Sequence, residues 1–217
     1  MCNTLLCILS LLYKKSGVTY EFTEISLYGS NGKPKWFRKL NPAGTVPVLT
    51  CKHGQVVLPD SDLILDYIAD GSIADNDDDD SGSTSSTIIG SLLVTKSPGD
   101  STTEINSNVQ KWRNLISRKL IPIGKRAVLG GGKSAQDELF QLLTFMNDEV
   151  VEGTTYLCGN DITVADCALF PFLWRIDQEF GPLTKEDGLG NLRSWLDTCG
   201  NVKSFKKTVQ GAWWWWW

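Results

Sequence analysis

The stretch NPAGTVPVLTCKHGQVVLPDSDLILDYI, Asn41–Ile68, decides how the beginning of the chain folds. Asn41-Pro42-Ala43-Gly44 has the composition of a tight turn. Val46–Thr50 and Gln55–Leu58 are short apolar runs separated by a turn at His53-Gly54, and together they predict a β-hairpin. Pro47 has no N–H to give to a ladder and belongs at a strand start. If the Val46–Pro47 bond is cis, the Val46 N–H and C=O face outward and can pair with the backbone of an extended ligand. Only about 5–6% of X–Pro bonds are cis, so the isomer is open at this point. Asp60 or Ser61 caps the next helix, whose apolar side is Leu63, Ile64, Tyr67 and Ile68. Free N–H groups at that helix start, with the Ser61 hydroxyl, suit a carboxylate.

Upstream, Leu5, Leu9 and Leu12 share one face of a predicted helix over Leu5–Lys15, which Gly17 ends. Val18–Leu27 alternates through Tyr20, Phe22 and Ile25 and predicts a strand. Gly29–Gly32 is a turn, and Pro34 opens a short helix with Trp36 and Phe37 as core residues. The order helix, strand, helix, strand, strand, helix describes a compact α/β unit over residues 1–70.

Residues 71–102 differ in kind. They hold the acid run Asp77–Asp80 and the serine- and threonine-rich segment Ser81–Thr87. Such composition buries too little surface to fold alone, so the segment reads as a linker onto which Ile88–Val94 can dock. Its acids lack the alternating spacing, glycine and final glutamate of a calcium loop. Residues 103–212 read as an all-α domain. Trp112, Leu115, Ile116 and Leu120 recur at helical spacing, as do Leu139, Leu142, Leu143 and Met146 within Gln136–Val151. Ile162, Ala165, Ala168, Leu169 and Phe172 mark a further helix, and Leu192, Trp195 and Leu196 a shorter one. Thr163-Val164-Ala165-Asp166 is a capping box, with Ile162 and Cys167 placed for a hydrophobic staple. Residues 213–217 are five consecutive tryptophans and are assigned no role.

The chain has 217 residues, enough for one domain or two small ones with a real core. A formal charge of −4 argues against a general nucleic-acid binder. Hydrophobic content of 41% and charged content of 21% exclude collagen, a long coiled coil and a wholly disordered chain. The six cysteines are Cys2, Cys7, Cys51, Cys158, Cys167 and Cys199. None forms a CxxC pair, and His53 is the single histidine, so zinc-ligand spacing is missing and no metal is expected. Free, mostly buried thiols in a reducing compartment are the expectation. Leu5–Leu12 is far short of the roughly 20 residues that span a bilayer and lacks the flanks of a signal peptide. Cytoplasm is the default location, with an organelle address upstream of this start as the alternative.

Three stretches carry a resemblance. GKPKWFRKLNPAGTVPVL (Gly32–Leu49), followed by LPDSDLILDYI (Leu58–Ile68), resembles the glutathione transferase superfamily. Within it, KPKWF is most similar to plant-type dehydroascorbate reductases and omega-class glutathione transferases. DITVADCALFPFLWRID (Asp161–Asp177) resembles that superfamily's helical-domain signature, and FKKTVQGAW (Phe205–Trp213) is weakly similar to the C-terminal end of the reductases. The resemblance implies a thioredoxin-like domain joined to an all-helical domain, with glutathione lying along the first. It implies that Val46 pairs with the cysteinyl backbone of glutathione beside a cis Pro47. Ser61 would hold the γ-glutamyl carboxylate with Asp60 next to it, and Lys35 or Lys33 would reach the glycine end.

These reductases place a cysteine before a proline at the start of their first helix. Counting back from GVTY (Gly17–Tyr20) without gaps reaches Asn3, and Cys2 takes that position with one inserted residue. No proline follows Cys2 or Cys7, and the strand that should precede the helix is missing, so the start reads as a truncation. Cys2 is the implied nucleophile and Cys7 a core thiol. A helix N-terminus lowers a thiol pKa and exposes a thiolate. The implied cycle reduces dehydroascorbate or a mixed disulfide through that single thiol, with glutathione as co-substrate and no metal. Two other functions fit the resemblance. One is conjugation of glutathione to an electrophile, with Asn3 or Thr4 near the thiolate. The other is a non-enzymatic relative acting as an interaction module. Stable membrane insertion is not expected, and monomer or homodimer is open.

Overall fold

The computed structural model describes residues 21, 23–25, 32–51, 54–69, 101–151 and 153–209. The expectations for the first helix, for Cys2 and Cys7, and for most of the linker, as well as the tryptophan tail, fall outside these residues. Of the predicted strand Val18–Leu27, Glu21 and residues 23–25 are described, and they lie in no strand. A strand requires a ladder partner, and they have none among the described residues.

The first unit begins with α1 (Lys35–Leu40), entered through Pro34, whose fixed φ suits a helix start. Phe37 is buried but Trp36 is 52% exposed, which corrects the expectation that both are core. Successive residues on a helix point about 100° apart, and a single turn cannot bury two neighbours against one surface. A turn closed by Gly44 N–H donating to Asn41 O (2.9 Å) follows. β1 (Leu49–Cys51) and β2 (Val56–Leu58) pair antiparallel with Leu49 opposite Leu58 and Cys51 opposite Val56. The first strand thus starts at Leu49, later than expected, because Pro47 cannot donate to a ladder. Gly54, at φ +85°, lies in the hairpin turn. α2 (Ser61–Ala69) buries Ile64 and Leu65, while Leu63 is 50% exposed and off the apolar side it was assigned to.

The second unit is all helix. α3 (Ser101–Leu115) starts two residues inside the segment read as linker. It runs through one π-helical turn (Ile116–Leu120) into α4 (Ile121–Val128). Pro122 explains that turn: it has no N–H and its ring crowds the carbonyl four residues back, so the preceding turn widens. α5 (Gly132–Glu149), α6 (Val164–Phe180), α7 (Gly190–Gly200) and α8 (Lys203–Val209) complete the domain. α6 is buried almost all round and is the central helix, which its run of apolar residues between Val164 and Ile176 requires. α8 was not expected; Phe205 on it is fully buried and its ring packs at a tilt against Phe170, 4.7 Å between centroids.

One apolar cluster joins the two units. It runs from Ile64 and Leu65 on α2 through Trp112 and Ile116 to Leu143, Leu169, Trp195 and Phe205. Each fully buried side chain of this size contributes roughly 1.5–3 kcal/mol. Polar clasps fix the register of the helices. Asn147 at the end of α5 accepts from the Asn191 (2.9 Å) and Leu192 (3.1 Å) amides and so caps α7 from outside. Asp177 on α6 accepts from the Leu183 amide (2.9 Å) and from Arg193 (2.8 Å).

Candidate functional site

The site is assembled around Val46. The Val46–Pro47 bond is cis. Val46 is half-buried, and its main-chain N–H and C=O have no hydrogen-bond partner among the described residues. A buried amide normally finds a partner, so an exposed-edge amide of this kind is available to an extended ligand.

Asn41 organises this segment, a role its turn composition did not reveal. It is buried, and its side-chain amide donates to the Thr45 carbonyl (2.8 Å) and the Thr45 hydroxyl oxygen (3.1 Å). The Thr45 hydroxyl in turn donates to the Pro59 carbonyl (3.3 Å). The chain before Val46 is therefore tied to the residue that immediately precedes Asp60 and Ser61. Two pieces that lie apart in sequence are brought to one place by Asn41 and Thr45.

Asp60 is the N-cap of α2: its carboxylate accepts from the Leu63 amide (3.4 Å) and its carbonyl from the Ile64 amide (3.0 Å). Ser61 is the first helical residue and half-buried. A helix N-terminus offers main-chain N–H donors and a partial positive charge to an anion.

Lys33 brings a cation close to the Val46 segment. Gly44 has φ +67°, and a Cβ there would lie 3.1 Å from Lys33 Cδ and 3.3 Å from Lys33 Nζ. The Lys33 chain thus lies over Gly44, two residues before Val46. Lys35 is exposed on α1, and no contact ties it to this segment. Both lysines are candidates for an anion at this segment, and Lys33 is the one whose side chain packs over Gly44.

Two of the described thiols, Cys158 and Cys199, are poor nucleophiles. Burial pushes the Cys158 thiol up to about 12, with the Asp166 charge adding to the effect. Cys199 is pushed up further by burial and by the charges of Asp166 and Cys167. Both stay protonated near neutrality, and the thiolate is the reactive form. Cys51 is half-buried on β1. Among the described residues no group of three or more His, Cys, Asp or Glu is placed to hold a metal ion, and no helix is long and apolar enough to cross a membrane.

The capping box at α6 forms in both directions. Thr163 Oγ1 accepts from the Ala165 amide (3.3 Å), and Asp166 accepts from the Thr163 amide (2.8 Å) and hydroxyl (2.9 Å). Asp166 does more than a cap requires. Its other oxygen accepts from the Leu157 amide (2.9 Å) and from Trp195 Nε1 (2.8 Å). Burial pushes the Asp166 carboxyl up, and these hydrogen bonds pull it back down. The residue is structural, a hub between the loop at Leu157, α6 and α7.

Comparison with known proteins agrees with this architecture. The family model described as "Glutathione S-transferase, N-terminal domain" matches residues 8–70, and "Glutathione S-transferase, C-terminal domain" matches residues 110–198. Among curated proteins, elongation factor 1-gamma 3 of Oryza sativa subsp. japonica is 27% identical over 89% of this chain, and 43% of that protein is covered. The chloroplastic glutathione S-transferase DHAR3 of Arabidopsis thaliana is 24% identical over 92% of this chain and 62% of its own length. The chain spans about half the length of the curated relatives it matches. Among solved structures, glutathione transferase Omega 3C from Trametes versicolor superposes with a TM-score of 0.71 at 19% identity, covering 97% of this chain and 86% of that one. A glutathione transferase homolog from Lodderomyces elongisporus, with two glutathione molecules per subunit, gives 0.69 at 18% identity, covering 95% and 91%. These likenesses share one fold, a thioredoxin-like β-α unit followed by an all-helical domain. With both domains matched in that order over more than half of its length, the chain belongs to the glutathione transferase superfamily.

Proposed function

We propose that this protein binds glutathione across the Val46 segment and the start of α2, and uses it to reduce dehydroascorbate or mixed disulfides through one protein thiol, Cys2. The observation that carries the binding site is the Asn41–Thr45–Pro59 hydrogen-bond chain, which sets a main-chain edge with no partner among the described residues beside a helix N-terminus. In this reading Val46 pairs with the cysteinyl backbone, with Pro47 fixing the turn. Ser61 and the α2 amides hold the γ-glutamyl carboxylate beside Asp60, and Lys35 or Lys33 takes the glycine carboxylate, with Lys33 favoured by its place over Gly44. Residues 1–70 form the glutathione-binding domain, 71–102 the linker, 103–212 the helical domain and 213–217 a tail without a role. The free thiols Cys158, Cys167 and Cys199 suit a reducing compartment such as the cytoplasm.

The chemistry balances with two glutathiones. The Cys2 thiolate adds to a dehydroascorbate carbonyl, and a glutathione thiolate attacks the Cys2 sulfur. The carbon–sulfur bond breaks, ascorbate leaves with the electron pair, and a Cys2–glutathione disulfide remains. A second glutathione attacks the glutathione sulfur of that disulfide, releasing the Cys2 thiolate and oxidised glutathione. The high pKa of Cys158 and Cys199 leaves this role to a thiol elsewhere in the chain.

A second reading has a specific observation behind it: the curated relatives include elongation factor 1-gamma proteins of Oryza sativa subsp. japonica, whose names are not those of a transferase. In that reading this chain's fold serves as a non-enzymatic interaction module. The test is glutathione-dependent dehydroascorbate reduction by the wild type and Cys2→Ser. The first reading expects turnover that Cys2→Ser abolishes. Turnover unchanged by Cys2→Ser contradicts the thiol route, conjugation of an aromatic halide in its place marks a conjugating transferase, and glutathione binding without any turnover favours the interaction module.

A further inference from the structure

The proposed carboxylate site consists of main-chain donors at the start of α2, so it is only as well aimed as that helix. Ile64 and Leu65 bury one side of α2 in the cluster shared with the helical domain. Apolar contact is non-directional and specifies rotation about the helix axis weakly. Asp66, the next residue, supplies the missing direction. It accepts a hydrogen bond from Arg113 Nη1 on α3, across the boundary between the two units. The Arg113 side chain is 9% exposed and that of Asp66 58% exposed. The cation is therefore held inside the helical domain and presents a rigid, planar donor fork at a fixed point, while the carboxylate reaches it from the helix surface. Asp66 lies five residues beyond Ser61, about 7.5 Å along the axis. A roll of α2 about that axis carries its first-turn amides with it, and sites of this kind tolerate only about 10–20° of misaiming.

We propose that Arg113 is a positioning residue for the glutathione site: by pairing with Asp66 it fixes the roll of α2 and aims the Ser61 end at the γ-glutamyl carboxylate. This rests on the glutathione reading above. Neither residue touches the ligand, and they lie 47 positions apart in sequence, so no local motif marks them.

The test compares two ligands on the full chain by calorimetric titration: glutathione, and its analogue 4-aminobutyryl-cysteinyl-glycine, which lacks the γ-glutamyl α-carboxylate. Asp66→Asn should weaken glutathione about fivefold, the scale of a charge-assisted hydrogen bond made at a poor angle. The analogue should change by less than about twofold. A purely structural role for the ion pair would lower affinity for both ligands together, and that result overturns the proposal, as does an unchanged glutathione affinity. If Asp66→Asn fails to fold, as judged by circular dichroism, Arg113→Lys, which keeps the charge and loses the fork, is read by the same criterion. A wild-type chain that binds neither ligand overturns the glutathione reading and this inference with it.

Discussion

Replacing Asp166 with alanine removes one carboxylate and strands donors from three places: the Leu157 amide, the Thr163 amide and hydroxyl, and the Trp195 indole. A buried donor left without an acceptor costs about 1–3 kcal/mol. The Thr163 hydroxyl can rotate to another acceptor, which leaves three fixed N–H groups and a raw cost of roughly 3–9 kcal/mol. Removal of a desolvated charge offsets part of this, since burial already pushes the carboxyl up. The expected net loss is about 4 kcal/mol, a large share of the roughly 5–15 kcal/mol of a typical domain. Trp195→Phe strands nothing, because it deletes the donor itself, and should cost about 1–2 kcal/mol. Thr163→Ala should cost about 0.5–2 kcal/mol through the cap. Urea unfolding followed by tryptophan fluorescence and circular dichroism reads all three, with the slope m checked for constancy. An Asp166→Ala loss below about 1 kcal/mol, or one no larger than that of Trp195→Phe, would refute the assignment of Asp166 as the hub of the helical domain.

Two further predictions concern the site and the thiols. Gly44→Ala places a Cβ 3.1 Å from Lys33 Cδ at φ +67°, so it should cost about 1–2 kcal/mol and weaken glutathione binding by displacing the lysine; unchanged affinity contradicts the Lys33 assignment. Cys158 has a folded-state pKa of about 12, above the roughly 8.5 of a free thiol. Its stabilising contribution is therefore complete below about pH 8.5 and is lost as pH rises towards the folded value, by at most about 1.4 kcal/mol per pH unit. Urea midpoints should fall from pH 8 to pH 10, and less steeply in Cys158→Ala; identical slopes contradict the burial of that thiol.

What was legible in the sequence was what depends on neighbours along the chain. The helical spacing of Leu139, Leu142, Leu143 and Met146 and the Thr163–Asp166 pair are local patterns, and helix α5 and the α6 start follow from them. Trp36 and Leu63 are apolar but exposed, because apolar type alone does not say which way a short helix faces. The contacts that build the site were not legible. Asn41 reads as a turn residue until its amide is seen on Thr45, and nothing in the sequence around Arg113 points to its pairing with Asp66, 47 positions away. Two lysines either side of Pro34 were equivalent until the geometry laid Lys33 over Gly44. Tertiary position, not composition, assigns these roles.

Titration of the full chain with glutathione tests the central claim most directly. The account predicts saturable one-site binding at millimolar or tighter affinity, weakened about tenfold by Ser61→Ala, equivalent to about 1.4 kcal/mol. An absence of binding up to tens of millimolar, or binding that Ser61→Ala leaves unchanged, would contradict it.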